Sequence, residues 1–158
     1  MTKPLLSIGI IFKNEIRCIE RCLKSLQPLR DAIPCELVMA DTGSDDGSRE
    51  VAAKYADILI DFPWINDFSA ARNAVMDQCS GEWYLTVDCD EWLDEDIVTL
   101  TTFLSTNTTN KYASLTVRNY KTPELERGGQ FSDFLACRLL RMSTGIRFVG
   151  AIHERNPF

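Results

Sequence analysis

Short apolar runs alternate with amphipathic stretches through the first two-thirds of the chain. A run such as 5–12, which is almost entirely apolar, is typical of a strand buried on both faces of a sheet. The intervening stretches repeat apolar residues every three or four positions, as the core-facing side of a helix does. Strands that alternate with helices predict right-handed crossovers and a mainly parallel sheet. The predicted strands are 5–12, 35–40, 57–61 and 83–87, and the predicted helices are 16–27, 48–55, 69–79 and 97–105.

The pattern changes after residue 110. Two strand-like stretches, 112–120 and 136–142, flank a loop that contains Gly128 and Gly129. We expect them to add a mixed or antiparallel part to the sheet. The predicted fold class is therefore α/β: a three-layer sandwich with a mainly parallel central sheet, helices on both faces and a mixed or antiparallel C-terminal part.

Composition and charge narrow the class of protein only slightly. The 158 residues fit one domain, and 45% hydrophobic with 25% charged residues is an ordinary globular composition. A net charge of −6 disfavours non-specific binding to nucleic acid. No apolar stretch approaches the roughly 20 residues that span a bilayer, and the start of the chain lacks a secretory signal. We expect a cytoplasmic protein, and peripheral contact with the inner face of the membrane stays open.

The most informative stretch is 83–91, where an apolar strand ends abruptly in Asp88, Asp90 and Glu91. Carboxylates at the carboxyl end of a strand lie where open α/β sheets bind ligands. In an extended backbone, Asp88 and Asp90 would point to the same side, and hard oxygen ligands suit Mg²⁺ or Mn²⁺. Cys89 between them is expected to face away from the ligand. On this motif alone, an acidic turn that only begins the next helix remains an alternative.

Polar clusters follow all four predicted parallel strands. They cover 13–15, 41–48, 66–73 and 88–91, whereas the opposite edge holds short connections such as 80–81. The carboxyl ends of parallel strands meet at one edge of the sheet. We therefore expect the four clusters to converge on one ligand-binding crevice.

With these clusters, the sequence resembles the family 2 glycosyltransferases of the GT-A fold, which use nucleotide-sugar donors. The resemblance covers nearly the whole chain and implies a single GT-A (Rossmann-like) domain over 1–158. It implies a donor-binding half in 1–110 and the start of an acceptor half in 111–158, which we expect to be incomplete. The motifs that carry it are 7–15, 41–48, 66–73, 88–91, and 138–141 followed by 150–154.

The resemblance implies a nucleotide pocket. Asp41 would accept a hydrogen bond from the base, taken as uracil, and Phe12 and Asn14 would line the same pocket. A carboxylate accepts only, which suits an imide N–H, although an ordinary turn aspartate is the alternative. Arg72 would lie near the base and diphosphate, where a guanidinium fork suits phosphate oxygens; a surface arginine on a helix is the alternative.

The resemblance also implies a divalent metal, Mn²⁺ or Mg²⁺, that bridges the diphosphate of the nucleotide sugar. Asp90 would be its principal ligand, and Asp88 would contact the ribose, or the metal through water. His153 would complete the metal shell, with an ordinary surface or core histidine as the alternative. Glu91 would bind hydroxyls of the donor sugar or cap the next helix. Such a metal neutralises charge on the departing diphosphate, so Asp90 counts as catalytic.

The implied function is inverting transfer of a sugar from a nucleotide-diphosphate sugar, taken as UDP-linked, in bacterial glycan or glycoconjugate synthesis. The acceptor hydroxyl would belong to a glycan, a lipid-linked molecule or a protein, and Glu154 or Asp133 would deprotonate it. The alternative is a non-catalytic or truncated nucleotide-sugar-binding module. A nucleotidyltransferase is disfavoured because Lys13-Asn14-Glu15 is not a glycine-rich basic loop. The sequence does not identify the donor sugar, the acceptor or the oligomeric state.

Overall fold

The computed structural model of the protein describes residues 3–94, 96–120 and 130–152. Strands and helices alternate along these residues, and a short 3₁₀ turn, Met142–Thr144, follows the last strand. The elements, in chain order, are β1 (Leu6–Phe12), α1 (Ile19–Ala32), β2 (Cys35–Asp41), α2 (Ser48–Ala52), β3 (Ile58–Asp61), α3 (Phe68–Asp77), β4 (Trp83–Thr86), α4 (Val98–Thr106), β5 (Tyr112–Tyr120) and β6 (Phe131–Arg141).

The strands form one sheet in the order β3-β2-β1-β4-β6-β5. Strands β1 to β4 are parallel, β6 runs antiparallel to β4, and β5 runs antiparallel to β6. This confirms the predicted α/β fold with a mainly parallel sheet and an antiparallel C-terminal part. The order reverses between β1 and β4, because the chain winds outward to β3 and then returns through α3. The carboxyl ends of β1 and β4 therefore border a switch point, where open α/β sheets bind ligands.

Apolar cores cover both faces of the sheet, as the three-layer prediction requires. Successive strand residues point to opposite faces, so Trp83 and Leu85 enter one core and Tyr84 enters the other. The first core includes Leu6, Ile8 and Ile10 of β1 with Cys22, Leu23 and Leu26 of α1 and Leu104 of α4. The second includes Val38 and Ala40 of β2 with Val75 and Met76 of α3 and Leu140 of β6.

Helix α1 differs from the prediction at both ends. Pro28 was expected to begin a connection, but it lies inside the helix, which continues to Ala32. A proline removes one helical N–H and normally ends a helix. Here Leu26 and Leu29 are fully buried on either side of it, so packing against the sheet outweighs the local penalty. The helix was expected to begin at Ile16, but it begins at Ile19, and Ile16 is 44% exposed.

The remaining boundaries differ by a few residues. Helix α2 ends at Ala52, three residues earlier than predicted, and its N-cap is Gly47 with φ 95°, which has no side chain to accept from the first turn. Asp46 Oδ1 accepts instead from the Ser48 N–H (2.9 Å) and satisfies part of the first turn. Strand β6 begins at Phe131, five residues earlier than predicted. The prediction missed these five residues because this exposed half of the strand lacks an apolar pattern. Gly128 and Gly129 lie outside the described residues.

Candidate functional site

Backbone-to-side-chain hydrogen bonds join the loops after β1 and β2. The Asn14 N–H donates to Ser44 Oγ (3.0 Å), and Asn14 Oδ1 accepts from the Asp45 N–H (2.8 Å). The Glu15 N–H donates to Ser48 Oγ (2.7 Å). Asn14 has φ 55°, a left-handed conformation that asparagine tolerates better than most residues. The first two polar clusters therefore meet at one edge of the sheet, as predicted, and Asn14 connects them.

Asp41 is the last residue of β2, pairs with Phe12 across the sheet and is only 4% exposed. Its Oδ1 accepts from the N–H groups of Gly43 (3.1 Å) and Ser44 (2.8 Å). Asp41 thus performs the turn role that the sequence offered as the alternative. Its second oxygen, Oδ2, lies 3.8 Å from Arg49 Nε. The predicted bond from a nucleotide base would go to this second oxygen, and that role stays a prediction.

Sequence reasoning missed Arg49. Its Nε donates to Asp61 Oδ1 (2.8 Å) and its Nη2 to Asp61 Oδ2 (3.1 Å), while Nε also lies near Asp41. Asp61 ends β3 and pairs with Asp41 in the sheet register. The position of Arg49 in the sequence could have indicated this role. It directly follows the 41–48 cluster, in the first turn of α2, where a side chain can reach the carboxyl ends of β2 and β3. Arg49 places a donor group beside the carboxylate of Asp41.

Asp88 lies between two arginines. Arg72 Nη2 donates to its Oδ1 (2.7 Å), and Arg138 Nη1 donates to its Oδ2 (3.1 Å). Burial raises the pKa of the Asp88 carboxyl, but Arg72 and then Arg138 outweigh this effect and hold the pKa below its ordinary value. Asp88 is therefore ionised and anchored at neutral pH.

Arg72 is buried, so the surface-arginine alternative was wrong. It is 7% exposed, and its Nη1 donates to Thr86 Oγ1 (2.8 Å) in addition to the bond with Asp88. The guanidinium also lies over the ring of Phe148, 5.7 Å from its centroid. Neighbouring Asn73 exchanges two hydrogen bonds with the Phe148 backbone (2.9 and 3.0 Å). Arg72, from the 66–73 cluster, thus bonds to Asp88 of the acidic cluster from the face of the sheet that α3 covers.

The backbone turns at 88–91, so the premise of an extended Asp88–Asp90 segment was wrong. The Glu91 N–H donates to the Asp88 carbonyl (3.0 Å), and Glu91 Oε2 accepts from the Asp88 N–H (3.2 Å). Arg138 Nη2 donates to Glu91 Oε1. Burial raises the pKa of Glu91, and Arg138 offsets part of that rise. Because α4 begins only at Val98, Glu91 does not cap the next helix.

Asp90 is exposed at the tip of this turn. Together with Asp88 and Glu91 it lines a groove of ≈ 1360 Å³ that continues between α4 and β5. Cys89 points into the core and is 4% exposed, as expected of the residue that faces away from the groove. Asp90 is thus the carboxylate of the turn that is most accessible to a ligand.

The carboxylate oxygens of the acidic turn suit a hard divalent ion that is bound together with a phosphate-containing ligand. Carboxylate oxygens suit Mg²⁺ and Mn²⁺, and Mg²⁺ is commonly bound by one or two carboxylates with substrate phosphates and water. In the ranges that the structure describes, no three His, Cys, Asp or Glu side chains are grouped to hold an ion. Among these residues, an ion at Asp90 would need further ligands, such as the oxygens of a bound phosphate or of water.

Asp133, one of the two predicted catalytic bases, is not part of this cluster. Asp133 forms a two-pronged ion pair with Arg118 across the β5–β6 ladder, with both bonds at 2.8 Å. These bonds with Arg118 hold the pKa of Asp133 below its ordinary value, whereas a general base needs a pKa near the working pH. His153 and Glu154 lie outside the described residues.

Over the described ranges, no helix has the length and apolar character needed to cross a membrane.

Solved structures share this fold, and curated proteins are similar to the chain in sequence. A TPR repeat-containing protein of Synechococcus elongatus is 33% identical over 149 residues, which are 94% of this chain and 34% of that protein. TarS 1-349 of S. aureus in complex with UDP matches with a TM-score of 0.60 and 17% identity, covering 91% of this chain and 50% of that chain. The mannosyltransferase PcManGT of Pyrobaculum calidifontis in complex with GDP-Man and Mn²⁺ gives a TM-score of 0.59 and 21% identity, covering 72% and 36%.

These structural likenesses establish the fold alone and confirm the predicted GT-A architecture. The chain spans about a third of the length of the curated relative, 34%. The family comparison is more specific, because the model described as "Glycosyl transferase family 2" matches residues 7–150. That match takes in the loops after β1 and β2, the buried arginine of α3 and the acidic turn after β4. This chain belongs to glycosyl transferase family 2.

Proposed function

We propose that the chain binds a nucleotide-diphosphate sugar and takes part in metal-dependent transfer of the sugar to an acceptor hydroxyl, with inversion at the anomeric carbon. The observation that carries the proposal is the convergence of Asp41, Arg72, Asp88 and Asp90 at the carboxyl edge of one sheet, beside its switch point. Family membership supports the same chemistry.

The nucleotide base would bind beside Asp41. One carboxylate oxygen is committed to the 41–44 turn, and the other is available to accept from the ring N–H of uracil. Arg49 would offer a donor to a carbonyl next to that N–H. TarS was solved with UDP, which supports uridine as the first nucleoside to test. Guanine also places a ring N–H beside a carbonyl, and GDP-Man is bound in PcManGT, so a guanosine nucleotide belongs in the same experiment.

The diphosphate would bind near the acidic turn with Mn²⁺ or Mg²⁺. Asp90 would hold the ion, and Asp88 would contact the ribose, or the ion through water. A bound divalent ion supplies charge neutralisation for the departing nucleotide diphosphate. The chain's own residues fix the turn, since Arg72 and Arg138 hold Asp88 in a single orientation. Glu91 would bind donor-sugar hydroxyls through the lone pairs that its bonds to Arg138 and to the Asp88 N–H leave unused.

Deprotonation of the acceptor would need a carboxylate on the other side of the donor sugar. The ion pair of Asp133 with Arg118 makes it the weaker candidate, so we rank Glu154 first. We retain His153 as a further metal ligand to be tested. The acceptor would be a glycan, a lipid-linked molecule or a protein in bacterial glycan synthesis, in the cytoplasm or at the inner membrane face. Residues 111–158 would begin the acceptor half.

A second candidate is a nucleotide-sugar-binding module without transfer activity. It is favoured by the ion pair of Asp133 with Arg118, which makes one of the two predicted bases a poor proton acceptor. The two candidates share the donor site and differ in turnover. Release of sugar from the donor by this chain, abolished by Asp90→Asn, would reject the non-catalytic module.

Isothermal titration calorimetry with UDP, UDP-sugars, GDP and CDP tests the proposed function. We expect at least one nucleoside diphosphate to bind at least tenfold more tightly with Mn²⁺ than with EDTA. Asp90→Asn keeps the shape of the turn but removes the charge, and it should abolish this Mn²⁺ enhancement. Asp31→Asn, an exposed position near the end of α1 and outside the groove, is the matched control and should keep it. Equal or absent binding of all nucleotides under both conditions would contradict the proposal.

A further inference from the structure

Arg138 occupies a β-bulge in β6. Ala113 of β5 pairs with Leu139, but the next residue, Ser114, pairs with Cys137, so Arg138 is the extra residue on its strand. Leu139 belongs to the core on one face of the sheet, while Cys137 packs against the core on the other. A regular strand would place both on the same face. The bulge therefore reverses the alternation of β6 and redirects the intervening side chain, as bulges commonly do beside functional sites.

The redirected side chain reaches the acidic turn. Arg138 donates through Nη1 to Asp88 Oδ2 (3.1 Å) and through Nη2 to Glu91 Oε1. Its side chain is only 15% exposed, and its buried Nε has no hydrogen-bond partner among the described residues. A buried charge with an unsatisfied donor is costly unless its other bonds are strong. The two charge-assisted bonds to Asp88 and Glu91 supply that compensation.

These bonds close a ring around the turn. Glu91 accepts from Arg138 with one oxygen and from the Asp88 backbone N–H with the other, while Arg138 also bonds to the Asp88 carboxylate. By formal charge, Arg72 and Arg138 balance Asp88 and Glu91. The ring holds both carboxylates against Arg138, whereas Asp90 remains at the exposed tip.

We propose that Arg138 is a positioning residue of the donor site, which draws Asp88 and Glu91 inward so that Asp90 faces the incoming metal–diphosphate. This inference rests on the proposed function, because it assigns a task within the same site. Without Arg138, Asp88 and Glu91 would lie close together with like charge and less compensation, and the turn would lose its fixed shape.

The first test measures Mn²⁺·UDP affinity by calorimetry in Arg138→Ala, Arg138→Lys and Arg147→Ala. Arg147 is the matched control, since it forms an exposed ion pair with Asp77 (3.1 Å) away from the turn. We expect Arg138→Ala to lose at least tenfold in affinity and Arg147→Ala to stay within twofold of wild type. Arg138→Lys should recover only part of the loss, because a lysine keeps the charge but not the fork that spans two carboxylates.

A double-mutant cycle separates positioning from a general effect on folding. If Arg138 acts through Glu91, the Arg138→Ala, Glu91→Gln double variant should bind Mn²⁺·UDP no more than twofold more weakly than Arg138→Ala alone. Affinity losses that multiply, or an Arg138→Ala variant with wild-type affinity, would overturn the inference. Circular dichroism at the titration temperature confirms that the fraction measured is folded.

The same geometry can be tested without nucleotide. In the ligand-free protein, NMR of the arginine side chains should show hindered rotation of the Arg138 guanidinium, and Glu91→Ala, which removes one of its two carboxylate partners, should speed that rotation. Free rotation in the wild type would overturn the inference whether or not nucleotide binds. Failure of the proposed function has a different signature, which is the absence of nucleotide binding by the wild-type chain under every metal condition.

Discussion

Arg72 Nη2 and Asp88 Oδ1 form a 2.7 Å ion-paired hydrogen bond that links helix α3 on one face of the sheet to the turn after β4. Arg72 is also bonded to Thr86 and is almost completely buried. The contact lies beneath the acidic turn, so the residue that we expected near the donor also forms part of the fold.

Replacement of Arg72 should therefore destabilise the protein. Arg72→Ala leaves Asp88 with one of its two arginine partners and leaves the Thr86 hydroxyl without its donor, for an expected loss of about 2–4 kcal/mol. The free energy of unfolding in urea measures this change. Arg147→Ala, which breaks an exposed ion pair with Asp77, should cost less than about 1 kcal/mol. Equal losses in the two variants would contradict the structural role of Arg72.

The stability contributed by ionised Asp88 should depend on pH. The pKa of Asp88 is lower in the folded than in the unfolded state, so its contribution is present above the unfolded pKa of about 3.9 and is lost as pH falls through the folded value. Asp88→Asn should therefore be destabilised most near pH 7, and the difference from wild type should shrink below pH 4. Urea unfolding between pH 3 and 7 measures the difference, and a constant value across this range would argue against it.

Glycine is required at position 9 of β1. A Cβ there would lie 2.2 Å from Tyr84 Oη and 2.4 Å from the same ring's Cε2, and Tyr84 is buried on the neighbouring strand β4. Gly9→Ala must displace that ring in a closely packed core, for an expected cost of roughly 1–3 kcal/mol. Thermal or urea unfolding provides the measurement. Stability within about 0.5 kcal/mol of wild type, a typical limit for harmless surface changes, would show that the ring can move freely.

Asp41→Asn should change base selection without loss of the turn. The Asn oxygen can still accept from Gly43 and Ser44, while the amide N–H₂ replaces the oxygen proposed to accept from the base. A donor facing the ring N–H of uracil is unfavourable, but it suits the unprotonated ring nitrogen of cytosine. We expect UDP affinity to fall at least tenfold and CDP to gain relative to UDP. Calorimetric titration of both nucleotides tests this, and an unchanged affinity ratio would remove Asp41 from base recognition.

The sheet and the edge that carries the site were predictable, because both follow from local patterns. Buried parallel strands are apolar runs, and the polar residues after them must meet at one edge once the strands are parallel. Cys89 faces away from the groove as expected, although it lies in the turn at 88–91 and not in an extended strand. Predictions from sequence were reliable where one element's own residues determine its structure.

The errors occurred where packing between distant segments decides the conformation. Pro28 stays helical because Leu26 and Leu29 are buried beneath the sheet, which a local breaker rule does not include. The turn at 88–91 depends on Arg138, which is about fifty residues away, and on a bulge visible only in strand register. The sequence does show an arginine between apolar neighbours in a strand. That signal predicts a buried carboxylate partner without identifying which one.

Paramagnetic NMR with Mn²⁺·UDP tests the central claim most directly, with Mg²⁺·UDP as the diamagnetic reference. If the metal and diphosphate bind at the carboxyl edge of the sheet, signals from the turn 88–91 should broaden most strongly. Those of Ser80 and Gly81, at the opposite edge, should remain sharp. Broadening centred at Ser80 and Gly81, or spread evenly over the surface, would contradict a donor site at Asp90.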